Sequence, residues 1–304
     1  MAFRLGYCCI NMGLREQGIT TNRNMIKRTW QARGLDYASE LALANCRDLR
    51  TIIGWNADNG VELFRITSDL FPWSSEYFLD ELPDYDEIAS VLRDAGEFAT
   101  MSGQRLSFHP GPFNVLASPR ESVVEKAIHD LTTHGKIFDL MMQPRTPQAK
   151  INIHVGGAYG DRDAALERFC RGVERLPDCA RSRLTVENDD RGNLYSVKDL
   201  YEGVYKRVGI PIVFDYHHHQ FRTGDMTEEE ALRLAASTWP EGITPCCHYA
   251  ESKVLEEGGS IPTPAHSFHV EGPIDDYGLD LDIMLEAKGK ELALERYNRG
   301  ACHI

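Results

Sequence analysis

The chain has 304 residues, 42% hydrophobic and 26% charged, with a formal net charge of −13. This composition is globular rather than disordered, and the length suits one large domain or two modest ones. The acidic balance argues against a generally basic nucleic-acid binder, while leaving room for a local basic groove and for bound cations that offset clustered carboxylates.

No apolar run approaches the length of a bilayer span, so no membrane partner is expected. The start, MAFRLGYCCINMG, lacks the basic, then apolar, order of a secretory signal. The eight cysteines include the adjacent pairs Cys8-Cys9 and Cys246-Cys247 and form no CxxC, so reduced thiols in a cytoplasmic protein are expected.

In chain order, Phe3–Ile10 reads as a short strand ending at Asn11 and Gly13. Thr20–Arg33 is polar, carries Arg23, Lys27, Arg28 and Arg33, and reads as a long loop. Leu35–Asn56 has helical apolar spacing. Val61–Ile66 is the next strand, followed by a loop with Phe71, Pro72 and Trp73. Tyr85–Met101 is helical, with Gly103 as its cap. Gln104–Phe108 is a third strand and runs into His109-Pro110-Gly111. Ser118 is the expected N-cap of a helix reaching Met142, with Pro119 and Glu121 as supporting signals.

Lys150–Ile153 is a fourth strand and ends at His154. A helix over Asp161–Leu176 leads to a fifth strand, Leu184–Val186, which ends at Glu187. Ser196–Val208 is helical. Ile212–Gln220, written IVFDYHHHQ, is a sixth strand that breaks at Asp215 into three histidines. Thr227 and Glu230 form a capping box for the helix to Trp239. Ile243–Cys247 is a seventh strand ending at His248. A loop with His266 leads to the eighth apolar run, Leu281–Leu285, which ends at Glu286. Leu292, Leu294 and Tyr297 lie on the last helix.

Eight strands alternating with helices, without repeats or a convincing linker, predict a single (β/α)8 TIM-type barrel over residues 1–304. The first turn has no GxGxxG, so no nucleotide cofactor is expected. Catalytic groups of such a barrel collect at the C-terminal strand ends. There this chain places His109, His154, Glu187, Asp215, His248 and Glu286, with His218 and His266 in adjoining loops. Each alone is an ordinary strand-end residue. Six consecutive ends of ligand type point to divalent metal. Eight ligands exceed one ion and suggest two or three, bridged by Glu187 or another carboxylate. Clustered ions suit phosphodiester hydrolysis, because they activate water near neutral pH and clamp the phosphate. A barrel with Glu, Asp and His around divalent ions also suits a sugar isomerase or epimerase.

The segments GYCCIN, FRITSDLFPWSS, SFHPG, NIHVGG, TVENDD, FDYHHH and DIMLEAK resemble the UV damage endonucleases of the UvdE type, over Phe3 to Tyr297. That family has a barrel related to the endonuclease IV apurinic nucleases. The resemblance implies ATP-independent incision of damaged double-stranded DNA immediately 5′ to cyclobutane dimers and 6-4 photoproducts; the chain is expected to act as a monomer. It implies three divalent ions, with Mn²⁺ commonly the active metal; Zn²⁺ and others share these ligands. Carried over, His109, His154 and Glu187 hold the first ion. Glu187, Asp215, His248 and Glu286 hold the second, and His218 and His266 the third. Glu187, Asp215 and Glu286 are then the catalytic carboxylates. Tyr7 and Asn11 match residues near the damaged bases.

The chain departs from the family at three places. Pro112 and Phe113 follow the HPG motif where Gln-Tyr is usual, so the wedge keeps an aromatic ring and loses an amide. Cys246 stands in place of a lysine. Glu76 replaces a histidine after the Phe-Pro turn. These changes bear on lesion preference and leave an apurinic endonuclease or a non-cutting lesion-binding protein as alternatives. Of the remaining histidines, at least one of His217 and His219 is expected to be solvated, and His129 and His134 to lie on the surface. Arg23, Lys27, Arg28 and Arg33 are candidates for phosphate contact, Trp73 for a wedge or a packing residue. Cys8, Cys9, Cys246 and Cys247 are expected in the barrel wall.

Overall fold

Short runs such as LTVE and IVFD are largely apolar until a carboxylate ends them, and every residue of both is buried. Strands covered on both faces belong to a parallel sheet with helices outside it. The computed structural model describes residues 3–260 and 263–301 and has that form. Its eight strands are β1 (Phe3–Cys9), β2 (Leu63–Ile66), β3 (Arg105–Phe108), β4 (Ile151–Ile153), β5 (Leu184–Glu187), β6 (Ile212–Asp215), β7 (Cys246–Tyr249) and β8 (Leu281–Leu285). They pair in sequence order into a closed barrel, β1 lying parallel to both β2 and β8. The fold class is therefore the (β/α)8 barrel that the alternating pattern predicts.

The helices are α1 (Met12–Glu16), α2 (Lys27–Asp58), α3 (Tyr85–Met101), α4 (Glu121–Leu140), α5 (Arg162–Glu174), α6 (Asp178–Arg181), α7 (Val197–Leu200), α8 (Lys206–Val208), α9 (Tyr216–Phe221), α10 (Glu228–Ala236), α11 (Val254–Glu257) and α12 (Lys290–Ala301). Tyr201–Tyr205 form one π-helical turn between α7 and α8. Their inner faces pack on the outward-facing residues of the strands; Phe108, for instance, meets Phe138 of α4 at a ring separation of 4.7 Å.

Several boundaries differ from expectation. Lys27–Arg33 is helical, not loop. Gly34, at φ 58° and ψ −146°, bends α2 there, a conformation open to glycine. Ser118 does not cap α4. Its hydroxyl accepts from the Arg120 amide, and the helix starts at Glu121. The residues after Asp215 do not become a loop, because Asp215 itself caps α9 by accepting from the His218 amide at 2.7 Å. His248 lies within β7 rather than beyond it.

Alternate side chains of each strand face the barrel interior. At the N-terminal end the interior is ionic. Arg4 and Arg105 each stand 2.7 Å from the Asp282 carboxylate, and Arg105 also donates to the carbonyls of Pro147, Gln148 and Thr244. Each guanidinium nitrogen of the buried Arg105 has an acceptor, which is the condition for a charge to be buried at tolerable cost. Above this plug lie Cys8, Leu63 and Met284 on one side and Val213, Trp239 and Cys246 on the other. Cys8, Cys246 and Cys247 are buried in the wall, as expected, and all seven cysteines among the described residues are free thiols. The interior is thus closed from below, and the polar end faces out only at the C-terminal rim.

Candidate metal centre

Interior alternation carries one polar residue to the top of strand after strand. Glu187, the last residue of β5, is 1% exposed and stands at the centre. Its Oε2 lies 3.1 Å from His109 Nε2 and 3.0 Å from His248 Nδ1. Its Oε1 lies 3.2 Å from His218 Nδ1 and 3.8 Å from His154 Nε2. One carboxylate therefore faces four imidazoles from four elements. Glu286 stands 3.1 Å from His248 Nδ1 and pairs with Arg65 of β2. Asp215 is fully buried, and its Oδ2 has no hydrogen-bond partner among the described residues.

Three triads have ligand atoms within 4.8 Å of one another: His109, His154 and Glu187; Glu187, Asp215 and His248; and His109, His248 and Glu286. Glu187 belongs to two of them. His218 and His266 belong to none. His218 is near the centre through Glu187, whereas His266 hangs at the rim, its Nδ1 donating to the Glu286 carbonyl at 2.7 Å.

The hydrogen bonds around these rings bear on whether a cation fits. His109 has an acceptor at each ring nitrogen, the Pro110 carbonyl 3.3 Å from Nδ1 and a Glu187 oxygen 3.1 Å from Nε2, and a neutral ring has one hydrogen for the two. A cation beside Glu187 would satisfy the contact that the single hydrogen leaves unmade. The orphaned Asp215 oxygen needs the same remedy. Buried carboxylate oxygen and imidazole nitrogen in these numbers are a hard-to-borderline donor set that fits a divalent ion.

Charge state follows from the same crowding. Burial works against the Glu187 anion, but His248, His154 and the bonds from His109 and His218 outweigh it and hold its pKa well below the usual range. Burial and the neighbouring carboxylates push Asp215 up to about 6. His109, held neutral by burial, falls to about 4. Burial opposes the charged forms of His154 and His218, yet Glu187 and Asp189 raise the first to about 9, and Asp215 and Glu187 raise the second to about 11. Both are protonated at neutral pH without an ion, and an imidazole must lose that proton to become a ligand. Mn²⁺ binding near pH 7 is expected to release protons, and affinity should rise between about pH 6 and 9. Titration calorimetry in buffers of differing ionisation enthalpy checks this; a heat independent of buffer would remove both residues from the ligand set.

Supporting residues absent from the sequence reading hold the ligands in place. Asn152, inward on β4, donates to Glu187 and accepts from Thr185 at 2.9 Å. Asn188 brackets the end of β6, donating to the Asp215 carbonyl at 3.0 Å and accepting from its amide at 2.8 Å. The Asn188 carbonyl accepts from His218 Nδ1 at 2.9 Å. Asp189 Oδ1 lies 3.1 Å from His154 Nδ1. Strand alternation signals Asn152 and Asp189, two positions before His154 and two after Glu187. Arg65 carries a similar signal, inward on β2 and otherwise among apolar residues.

Other expectations are corrected. Tyr7 and Asn11 do not face the site. The Tyr7 ring points outward to α2, fully buried; its hydroxyl donates to Asn56 at 2.7 Å and accepts from Asn11 at 3.2 Å. The Asn11 oxygen caps α1 by accepting from Leu14. Neither can stack on or read a base in this conformation. His217 and His219 are both buried, because α9 turns them into the wall while His218 takes the site face. His134 is also buried, stacked edge-on against Phe108. Trp73 packs flat on Trp30 at 5.6 Å and donates to the Met25 carbonyl, so it serves packing. Arg23 is tied to Asp48 at 2.6 Å and Arg33 to Glu40 at 3.2 Å; Lys27 and Arg28 are exposed. Pro112 and Phe113 are exposed at the rim, Phe113 to 88%. Pro112 lines a cleft of about 710 Å³ that contains His109, His154, His218 and Glu286, and both residues line a neighbouring one of about 590 Å³.

The family model for the UV-endonuclease UvdE matches residues 3–300. The UV-damage endonuclease of Schizosaccharomyces pombe is 34% identical over 303 residues, covering 96% of this chain and 49% of that protein, so the chain spans about half the yeast protein's length. The crystal structure of SacUVDE superposes with a TM-score of 0.83 at 29% identity, covering 98% of this chain and 97% of that one. Endonuclease IV from Thermus thermophilus is alike in fold alone, with a TM-score of 0.58 at 16% identity over 85% of this chain and 96% of that one.

Proposed function

The chain belongs to the UvdE family of UV endonucleases, and on that premise we propose that it hydrolyses a phosphodiester of damaged duplex DNA immediately 5′ to ultraviolet photoproducts, using divalent ions. The observation that carries the reading is Glu187, a buried carboxylate facing four imidazoles, beside an Asp215 oxygen without a partner. Three ions, Mn²⁺ among them, fit the eight proposed ligands.

His109, His154, Glu187, Asp215, His248 and Glu286 would hold two ions, and His218 and His266 a third. Bound there, divalent ions supply activated water and charge against the phosphate oxygens. The chain's own residues do the rest. Arg65, beside Glu286 and lining the cleft, adds a cation for the phosphate. Asn152, Asn188 and Asp189 fix the ligand orientations, and the closed interior below excludes water. Phe113, exposed on the rim, would enter a step that the lesion has already weakened.

The test uses defined duplexes carrying a cyclobutane dimer, a 6-4 photoproduct, an abasic site or no lesion, with Mn²⁺. The expected result is a nick on the 5′ side of both photoproducts and an intact control. Cutting confined to the abasic duplex would instead establish an apurinic endonuclease. Retardation of the damaged duplexes without a nick would mean a lesion-binding protein. Conversion of sugars without any effect on DNA would mean an isomerase.

A further inference from the structure

The five site histidines are not oriented alike. His109, His218 and His266 each turn Nδ1 to a backbone carbonyl, of Pro110, Asn188 and Glu286, at 3.3, 2.9 and 2.7 Å. His154 Nδ1 stands 3.1 Å from Asp189 without a hydrogen bond to it. In the first three the carbonyl occupies Nδ1 and leaves Nε2 as the nitrogen available to an ion. His248 is reversed. Its Nδ1 lies 3.0 Å from Glu187 and 3.1 Å from Glu286 without a hydrogen bond to either, and its Nε2 lies 3.1 Å from Lys150 Nζ.

Lys150 has no other role in view. It precedes β4, where alternation turns Lys150, Asn152 and His154 to the barrel interior. It is fully buried, yet among the described residues no carboxylate lies within ion-pair distance of its amine, and His248 is its single side-chain partner. A lysine placed in a barrel wall for packing alone is costly, since its amine loses water without an anion in exchange. Among the described residues, no backbone carbonyl holds the His248 ring.

We propose that Lys150 is the positioning residue of His248: the uncharged Lys150 amine accepts from the Nε2 hydrogen, which pins the ring against the inner wall and turns Nδ1, not Nε2, to the ion shared by Glu187 and Glu286. It rests on the metal reading above. The His248 ring is then held across the barrel, from β4 to β7, rather than by its own loop.

Zn²⁺ is the probe, and binding is the readout. In the histidine-¹⁵N-labelled, Zn²⁺-loaded protein, His248 is expected to coordinate through Nδ1 and keep its hydrogen on Nε2. Lys150→Met removes the polar contact at similar length and is expected to weaken at least one Zn²⁺ by roughly tenfold or more, whereas Lys150→Gln, which can still bond Nε2, stays within about threefold of the parent. Coordination of His248 through Nε2 overturns the proposal. So does parent-like binding by Lys150→Met, or equal losses in the two variants. If Lys150→Met does not fold, Lys150→Gln decides, supporting the proposal only if it keeps both the affinity and the Nδ1 coordination. A parent protein that binds no Zn²⁺ or Mn²⁺ fails the metal reading itself, which separates that failure from this one.

Discussion

Glu187→Gln is expected to stop incision and to strip ions from the site while leaving the barrel folded. The change preserves volume and a hydrogen-bond partner for Asn152 but deletes the one charge that faces His109, His154, His218 and His248. Two of the three triads lose their shared member. Each ion is worth several kcal/mol of transition-state charge, so the loss in rate should reach about a thousandfold or more. The imidazoles respond too. Glu187 helps to raise His154 and His218, so both should titrate lower in the variant. The measurements are nicking of an irradiated duplex in Mn²⁺, the number of Mn²⁺ retained per chain, and histidine titration by NMR. A variant that cuts at a tenth of the parent rate, or that keeps every ion, would refute the bridging role.

The ring of ligands was legible because a parallel barrel turns a chain of strands into a circle of strand ends. Apolar-to-polar breaks at His109, His154, Glu187, Asp215 and Glu286 needed no contact information to be placed on one rim. What stayed hidden depends on which way a side chain leaves its strand. Tyr7 belongs to the same strand as inward-facing Cys8 and so points to the helices, where Asn56 and Asn11 occupy its hydroxyl. The histidine run looked like a loop with a solvated member. Asp215 caps a helix there, and a helix spreads three successive residues around its circumference, so His217 and His219 enter the wall and His218 alone faces the site. Lys150 was read as the first residue of a strand. Only the closure of β4 across from β7 shows that its amine reaches His248. Position 246 of the same wall is a buried cysteine, and the wall's amine comes from Lys150.

Phe113→Ala should separate lesion opening from chemistry. The ring projects from the loop between β3 and α4, 88% exposed, on the ridge between two clefts that share Gly111, Pro112, Asn114, Val115 and Tyr159. An apolar ring held out in water has no folding role to lose, so the variant should fold and bind ions as the parent does. Its expected role is to fill the gap left by an unstacked base. Stacking of one base on an aromatic side chain contributes about 1–3 kcal/mol, so cutting of a dimer-containing duplex should fall roughly 5- to 150-fold. Phe113→Tyr should keep most of the activity, because the π-face is retained. The loss should also depend on the lesion. A 6-4 photoproduct or an abasic site already disrupts its stack, and less unstacking is left for the ring to do. The dimer, which stays closer to a normal duplex, should suffer most. Equal losses on every substrate would place Phe113 in general DNA binding, and no loss on any would remove it from recognition. Proline at position 112 sharpens the contrast: it brings no polar group to read a base edge, so what the Pro112-Phe113 tip adds to discrimination is shape and stacking, and the Phe113 ring is the part of it that can be deleted.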